Sequence, residues 1–232
     1  MNIVPVLLVK NEEVWIRHIV TALANVFPHI IVSDTGSIDA TIEEVSQIPQ
    51  VSLFKFNDLS PHKLTGCRQF MQDEAKRSFG ASHIFLVDGD ELYPTKYLRY
   101  IADNPMPEDA LSGFTTGIEV GELENGELWF YGHQGELVKF NRQTIIPVTS
   151  RWKGDYPFES PDSHIPGHPR NHYFLTPAGL HGFYHLHHTK RSQHDREVYL
   201  RDHKKNQFSM RDAPEIVPEK FWLKSRSDYR DE

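Results

Sequence analysis

The sequence predicts an α/β fold, an open Rossmann-like sheet with helices on both faces. Two observations predict it. Between Ile3 and Val87, short continuous apolar runs alternate four times with segments whose apolar residues recur every three or four positions. Such alternation implies parallel strands joined by right-handed crossovers. The four runs also end in polar groups, Lys10-Asn11, Asp34, Asn57-Asp58 and Asp88, at the edge where open α/β sheets bind ligands. One such ending is ordinary turn chemistry, whereas four on one edge describe a site.

Ile3 to Val9 is apolar throughout, the pattern of a strand covered on both faces. Asn11 is placed to cap a helix whose apolar residues Trp15, Ile16, Ile19, Val20, Leu23 and Phe27 keep helical spacing until Pro28. Ile30 to Ser33 is the second strand. Asp34-Thr35-Gly36-Ser37 then turns into a short helix with Ile42 and Val45 on one side. Val51 to Phe56 is the third strand. A helix from about Gly66 to Phe79 turns Cys67, Phe70, Met71 and Ala75 inward, stops at Gly80, and leads to the strand His83 to Val87.

Beyond about Leu111 the alternation stops. Phe114 to Val120 and Leu128 to Tyr131 flank Glu124-Asn125-Gly126-Glu127, and Asn-Gly between strand-like runs signals a hairpin. Thr149 to Pro177 is rich in Pro, Gly and His and reads as a substrate-facing loop region. Leu180 to Leu186 returns as a strand, and Ser192 to Lys205 reads as a helix. The polar tail from Asp212 carries Phe221, Trp222 and Leu223, with which it would dock.

The 232 residues make one large domain or two small ones, and 38% hydrophobic with 25% charged residues is globular composition. The apolar start, Val4 to Val9, falls far short of the ~18 residues of a membrane span and lacks a basic lead-in, so a protein of the cytoplasm is expected. The single cysteine, Cys67, excludes an intrachain disulfide and a cage of several thiolates. A net charge of −7 argues against a general polyanion binder. That charge is uneven: His185 to Arg211 holds seven basic and three acidic residues, a local +4 that leaves −11 for the remainder. An anion site near that segment is allowed.

Neither a Gly-x-Gly-x-x-Gly nor a Gly-x-x-x-x-Gly-Lys-Ser/Thr loop is present, so backbone amides do not supply an obvious phosphate cradle. The candidate instead is Phe85-Leu86-Val87-Asp88-Gly89-Asp90-Glu91, two carboxylates separated by one small residue at the end of a buried strand. Mg²⁺ and Mn²⁺ take carboxylate oxygens together with substrate phosphates. Gly89 is expected to let a diphosphate approach.

Three segments, Val9-Lys10-Asn11-Glu12-Glu13, Ile31 to Thr41 with Asp34-Thr35-Gly36-Ser37-Ile38-Asp39-Ala40-Thr41, and Phe85 to Glu91, resemble in order and separation the family 2 glycosyltransferases of GT-A fold. Two later segments match more loosely. Arg151-Trp152-Lys153-Gly154 to Phe158-Glu159 sits where many members have an aromatic-Gly stretch before "H-E", with Phe158 in place of His. His187-His188-Thr189-Lys190-Arg191-Ser192 resembles the "H-Y-[ST]-x-R-S" of the lipopolysaccharide-core type.

The resemblance implies a nucleotide-sugar-binding half, 1–111, and an acceptor and lid half, 112–232, carrying the hairpin and the C-terminal helix. It also implies roles for particular residues. Lys10, Asn11, Glu12, Asp34, Gly36, Ser37, Arg68, Asp88 and Arg191 would bind the nucleotide, and Asp39 and Thr41 would shape the loop. Asp88, Asp90 and His187 would hold Mn²⁺ or Mg²⁺, with His185 the chief competitor of His187 because residues two apart share a strand face. Glu159 would be the general base, with Asp155, Asp162 and Glu91 as rivals. The implied reaction is inverting transfer of a sugar from a nucleoside diphosphate, UDP first, to an acceptor hydroxyl on a glycan, lipid-linked sugar, protein or hydroxylated nucleic-acid base. The alternative is a non-catalytic metal- or nucleic-acid-binding module built on the His-rich basic C-terminal third.

Overall fold

Ile3–Val9 forms β1, flanked in parallel by β2 (Ile30–Asp34) and β4 (His83–Asp88), and β3 (Val51–Lys55) extends the sheet beside β2. The computed structural model describes residues 1–57, 63–104, 106, 112–122, 128–133, 136–137, 139–153, 156–158, 172–175, 182–189, 192 and 209–211. The connecting helices are α1 (Ile16–Ala24), α2 (Thr41–Ser46) and α3 (Leu64–Phe79), so the strand–helix alternation expected from the sequence is present.

The strands alternate sides as their pleat requires. Leu7, Val9, Ile30, Val32, Phe85 and Val87 pack on one face with Ile16, Ile19 and Leu23 of α1 and Tyr97, Leu98 and Ile101 of α4 (Thr95–Asp103). Val4, Val6, Ile31, Ile84 and Leu86 pack on the other with Met71 and Ala75 of α3. Covering both faces is why these strands read as unbroken apolar runs, and each such buried side chain contributes about 1.5–3 kcal/mol.

The second half of the chain completes the same sheet. After the short β5 (Glu91–Leu92) and α4 come β6 (Ser112–Glu122), β7 (Leu128–His133), β8 (Glu136–Leu137) and β9 (Lys139–Pro147). β9 runs antiparallel between β4 and β6, and β7 pairs antiparallel with β6, which is the expected hairpin. β10 (Arg151–Lys153) and β11 (Tyr156–Phe158) form a separate small hairpin. β12 (His172–Phe174) and β13 (Phe183–His188) both add parallel to β6, and β14 (Ser209–Arg211) adds to β7. The spine order among the described residues is β14-β7-β6-β9-β4-β1-β2-β3, an open mixed sheet with helices on both faces.

A buried hydroxyl chain ties the halves together: Tyr97 Oη lies 2.8 Å from Thr115 Oγ1, which lies 2.8 Å from Thr144 Oγ1. The Trp15 indole N–H likewise donates to Thr189 Oγ1 at 2.8 Å, joining the start of α1 to the end of β13.

Several expectations need correction. Asn11 does not cap α1, which begins behind Trp15 without a side-chain cap. Asn11 stands in the left-handed region at φ 58°, which Asn tolerates better than most residues. Its Oδ1 accepts the Ile38 N–H at 2.9 Å. α1 ends at Ala24, although Phe27 stays buried as the chain tightens through a Phe27 N–H to Leu23 O bond of 2.8 Å. The stretch Thr149 to Pro177 contains β10, β11 and β12 where only loop was expected. The expected helix Ser192 to Lys205 lies outside the described residues, apart from Ser192 itself, as does the tail from Asp212.

Candidate functional site

Register brings the strand ends together. Val9 is opposite Asp34 and Leu8 is opposite Asp88, so the loops after β1, β2 and β4 open on one edge. Asn57, just past β3, lies at that edge too, whereas Asp58 is outside the described residues.

The first two loops are locked to each other. Ser37 Oγ accepts the Asn11 N–H at 2.9 Å, Thr41 Oγ1 accepts the Glu12 N–H at 2.7 Å, and Asp39 Oδ2 accepts the Glu13 N–H at 3.3 Å. Glu13 Oε2 returns the contact by accepting the Ala40 N–H at 3.1 Å. Asp34 shapes the turn: its carboxylate accepts the Gly36 N–H at 3.1 Å, the Ser37 N–H at 3.2 Å and the Ser37 hydroxyl. It is only 2% exposed. Gly36 sits at φ 106°, a conformation that favours glycine. Lys10 is exposed, and Arg68 is half-buried near the start of α3.

The Asp88-Gly89-Asp90 turn is held from two sides. Asp88 is paired with Arg142 of β9, Nη1 to Oδ2 at 2.8 Å. Asp90 is 5% exposed, and its Oδ2 lies 3.5 Å from His185 Nε2 of β13. The other imidazole nitrogen, Nδ1, is 3.0 Å from Glu119 Oε1 of β6. β13 reaches this position because it is in register with both β5 (His185 opposite Glu91) and β6 (His185 opposite Glu119), and Leu186 N–H donates to Asp90 O at 2.7 Å.

Burial works to lower the His185 pKa, but its hydrogen bonds and charge attraction with Asp90 and Glu119 outweigh it and raise the value to about 10. The imidazole is therefore charged at neutral pH. Its stabilisation is complete below the unfolded pKa of ~6.5 and is lost as pH rises through about 10. In the ligand-free protein, His185→Gln is thus expected to lower the melting temperature most between pH ~5 and ~6.5, by roughly 4–8 °C for about 2 kcal/mol. A melting deficit that stays constant up to pH 10 would contradict the pairing.

Gly89 has a structural use as well. A Cβ at this position would meet Glu12 Cγ at 2.6 Å, so glycine admits the buried Glu12 side chain over the turn. Gly89→Ala is expected to destabilise by about 1–3 kcal/mol, with the double variant Glu12→Ala/Gly89→Ala recovering most of that loss. Chemical denaturation measures both, and a neutral Gly89→Ala would show that the contact does not matter.

Of the residues proposed from sequence, the structure groups Asn11, Glu12, Asp34, Gly36, Ser37, Asp88 and Asp90 on one edge and brings His185, the named competitor of His187, to Asp90. His187 is on β13, whose register against β6 shifts between His185 and His188. The side chains of His187 and His188 lie outside the description, as do Glu159, Asp155, Asp162, Lys190 and Arg191. Glu91 is 1% exposed and takes hydrogen bonds from the Asp88 N–H, the Tyr93 hydroxyl and Arg142, which gives it a structural role rather than that of an acceptor-side base. Arg142 and Glu119 were missed. Glu119 sits in a strand read correctly, opposite the apolar face of Ile118 and Val120, whereas Arg142 sits in a strand that was not anticipated.

Among the described residues no three His, Cys, Asp or Glu side chains form a metal cage by themselves. The donor set does fit a hard cation, since Mg²⁺ and Mn²⁺ need only one or two carboxylates when phosphate oxygens and water complete the shell. No described helix is long and apolar enough to cross a membrane.

No family model matches the chain, and no curated protein matches it. Among solved structures, it is similar to residues 1–349 of TarS from S. aureus at 13% identity, covering 80% of this chain and 60% of that one, with a TM-score of 0.45. It is also similar to 4-diphosphocytidyl-2C-methyl-D-erythritol synthase (8% identity, 64% and 76% covered, TM-score 0.44). A third is glucosyl-3-phosphoglycerate synthase from Mycobacterium tuberculosis, in complex with Mn²⁺, UDP and glucosyl-3-phosphoglycerate (13% identity, 51% and 43% covered, TM-score 0.36).

Proposed function

We propose that the protein is a metal-dependent, inverting glycosyltransferase that moves a sugar from a nucleoside diphosphate, UDP before other nucleotides, to an acceptor hydroxyl. One observation carries the reading: the Asp88-Gly89-Asp90 turn opens beside the interlocked β1 and β2 loops and receives His185 from 95 positions along the chain. A strand-end acidic turn without other company would be ordinary punctuation. Here it is paired with a rigid neighbouring loop on the ligand-binding edge and a remote imidazole. The motif resemblance supports family 2 and the lipopolysaccharide-core type as its class.

In this reading the edge built by Lys10, Asn11, Glu12, Gly36 and Ser37 takes the nucleoside, with Asp34 fixing the loop and Arg68 and Arg191 adding positive charge. Asp88 and Asp90, with His187 or with His185 once it has given up its proton, would hold Mn²⁺ or Mg²⁺, which supplies charge stabilisation for the departing diphosphate. The acceptor oxygen attacks the anomeric carbon as the bond to the diphosphate oxygen breaks, and the electron pair leaves with the diphosphate. The acceptor proton passes to a carboxylate, for which Glu159 is the candidate. Attack opposite the leaving group inverts the anomeric centre. The acceptor is a glycan, a lipid-linked sugar, a protein or a hydroxylated nucleic-acid base.

The test is a thermal-shift series with UDP, GDP and ADP, each with and without Mn²⁺, followed by product mass spectrometry with pooled sugar nucleotides. The expected result is a large shift that needs nucleotide and metal together, with UDP ahead. Equal shifts for metal alone, or a shift with nucleic acid in place of nucleotide, would favour the non-catalytic binding module.

A further inference from the structure

We infer that Arg142 is the positioning residue of the Asp88-Gly89-Asp90 turn, a cation delivered by β9 that holds Asp88 to Glu91 and so sets the direction in which the turn meets its ligand. The inference deepens the proposed function and rests on it only for the identity of that ligand.

The turn is tethered at its main chain and its side chain through one pair of residues. Glu91 Oε2 accepts the backbone N–H of Asp88 at 3.0 Å and the Tyr93 hydroxyl at 3.2 Å. Its other oxygen, Oε1, accepts from Arg142 Nη1, and that same nitrogen lies 2.8 Å from Asp88 Oδ2. One guanidinium nitrogen therefore joins the Asp88 carboxylate to the residue that already grips the Asp88 amide. The opposite end is held independently, by the Leu186 N–H on Asp90 O at 2.7 Å.

The charges explain why a cation is required at this point. Asp88, Asp90 and Glu91 put three carboxyls into four residues, and Glu91 is 1% exposed. Without the guanidinium the Asp88 carboxylate, whose side chain is 43% exposed, would be free to swing into solvent. The Arg142 side chain is itself 23% exposed.

Arg142→Met alone strands a buried carboxylate and would lower stability whatever else it does. The informative variant is therefore the double change Glu91→Gln/Arg142→Met, in which the introduced amide oxygen can still accept the Asp88 and Tyr93 hydrogens and no unpaired buried charge remains. Two measurements on the whole chain are compared with wild type. Amide hydrogen exchange at residues 88–90, without any nucleotide, reads the hold on the turn. Calorimetric UDP affinity, with and without Mn²⁺, reads its consequence.

The double variant is expected to melt near wild type, to exchange at residues 88–90 roughly 10-fold faster, and to lose about 10-fold in Mn²⁺-dependent UDP affinity with little change in affinity without metal. A folded double variant with wild-type exchange and wild-type affinity would overturn the inference, leaving Arg142 as a neutraliser of Glu91 and nothing more. If wild type shows no Mn²⁺-dependent UDP binding, the proposed function fails, and exchange at residues 88–90 decides the role of Arg142 by itself.

Discussion

On the proposed transferase function, Asp90→Asn is expected to reduce sugar transfer at least ~1000-fold, about 4 kcal/mol of transition-state stabilisation, while the melting temperature stays within a few degrees of wild type. The substitution is isosteric. It keeps a hydrogen-bonding group facing His185 and leaves the Asp90 carbonyl on the Leu186 N–H, so the turn and β13 stay in place. What it removes is one negative oxygen in a site that is 5% exposed, where a missing ligand charge is not made up by water. Asp88→Asn is expected to cost less, because the Asp88 side chain is 43% exposed and its carboxylate is already paired with Arg142. Steady-state transfer across a Mn²⁺ titration checks both. Asp90→Asn with more than a tenth of wild-type turnover at saturating Mn²⁺ would refute the metal role.

Gly182→Ala is expected to be the most destabilising single methyl in the described protein, at about 3 kcal/mol or more, or roughly 6–12 °C in melting temperature. A Cβ there would lie 2.0 Å from Thr115 Cγ2 and 2.7 Å from Thr116 O. Thr115 is itself held in the buried hydroxyl chain with Tyr97 and Thr144, and Thr116 O accepts the Gly182 N–H at 3.0 Å, so neither neighbour can retreat. The relief available is for β13 to peel from β6, which would carry His185 away from Asp90 and Glu119. Transfer should fall together with stability. Gly66→Ala in α3 is the control: nothing lies within 4 Å of its Cβ, and it is expected to be neutral or to stabilise by about 0.5–1 kcal/mol. Thermal unfolding of the two variants side by side tests the account, and equal melting temperatures would refute it.

Local signals account for how much could be read in advance. β1, β2 and β4 are buried on both faces, so their side chains have little freedom to be polar, and the unbroken apolar runs identify them. α3 ends where Gly80 adopts φ 62°, a stop that is legible because glycine is at home there. β9 escaped because its first half is mixed, with Lys139, Asn141, Arg142 and Gln143 around Phe140, and the edge where Arg142 meets Asp88 demands charge rather than apolar character. α1 misled at its start because Asn11 has the chemistry of a cap but is engaged by Ile38 across the loop.

The sequence by itself determined the open α/β half, the strand ends that share an edge, and the acidic turn at Asp88 to Asp90, since periodicity and turn chemistry are properties of neighbours along the chain. Tertiary structure alone decided which distant groups answer that turn. Arg142 comes to Asp88 because β9 inserts antiparallel between β4 and β6, and His185 comes to Asp90 and Glu119 because β13 docks between β5 and β6. It also set the Glu12 side chain against Gly89. Pairing between strands tens of residues apart is set by the total burial and register of the sheet, and no local pattern in either strand records which partner it will meet.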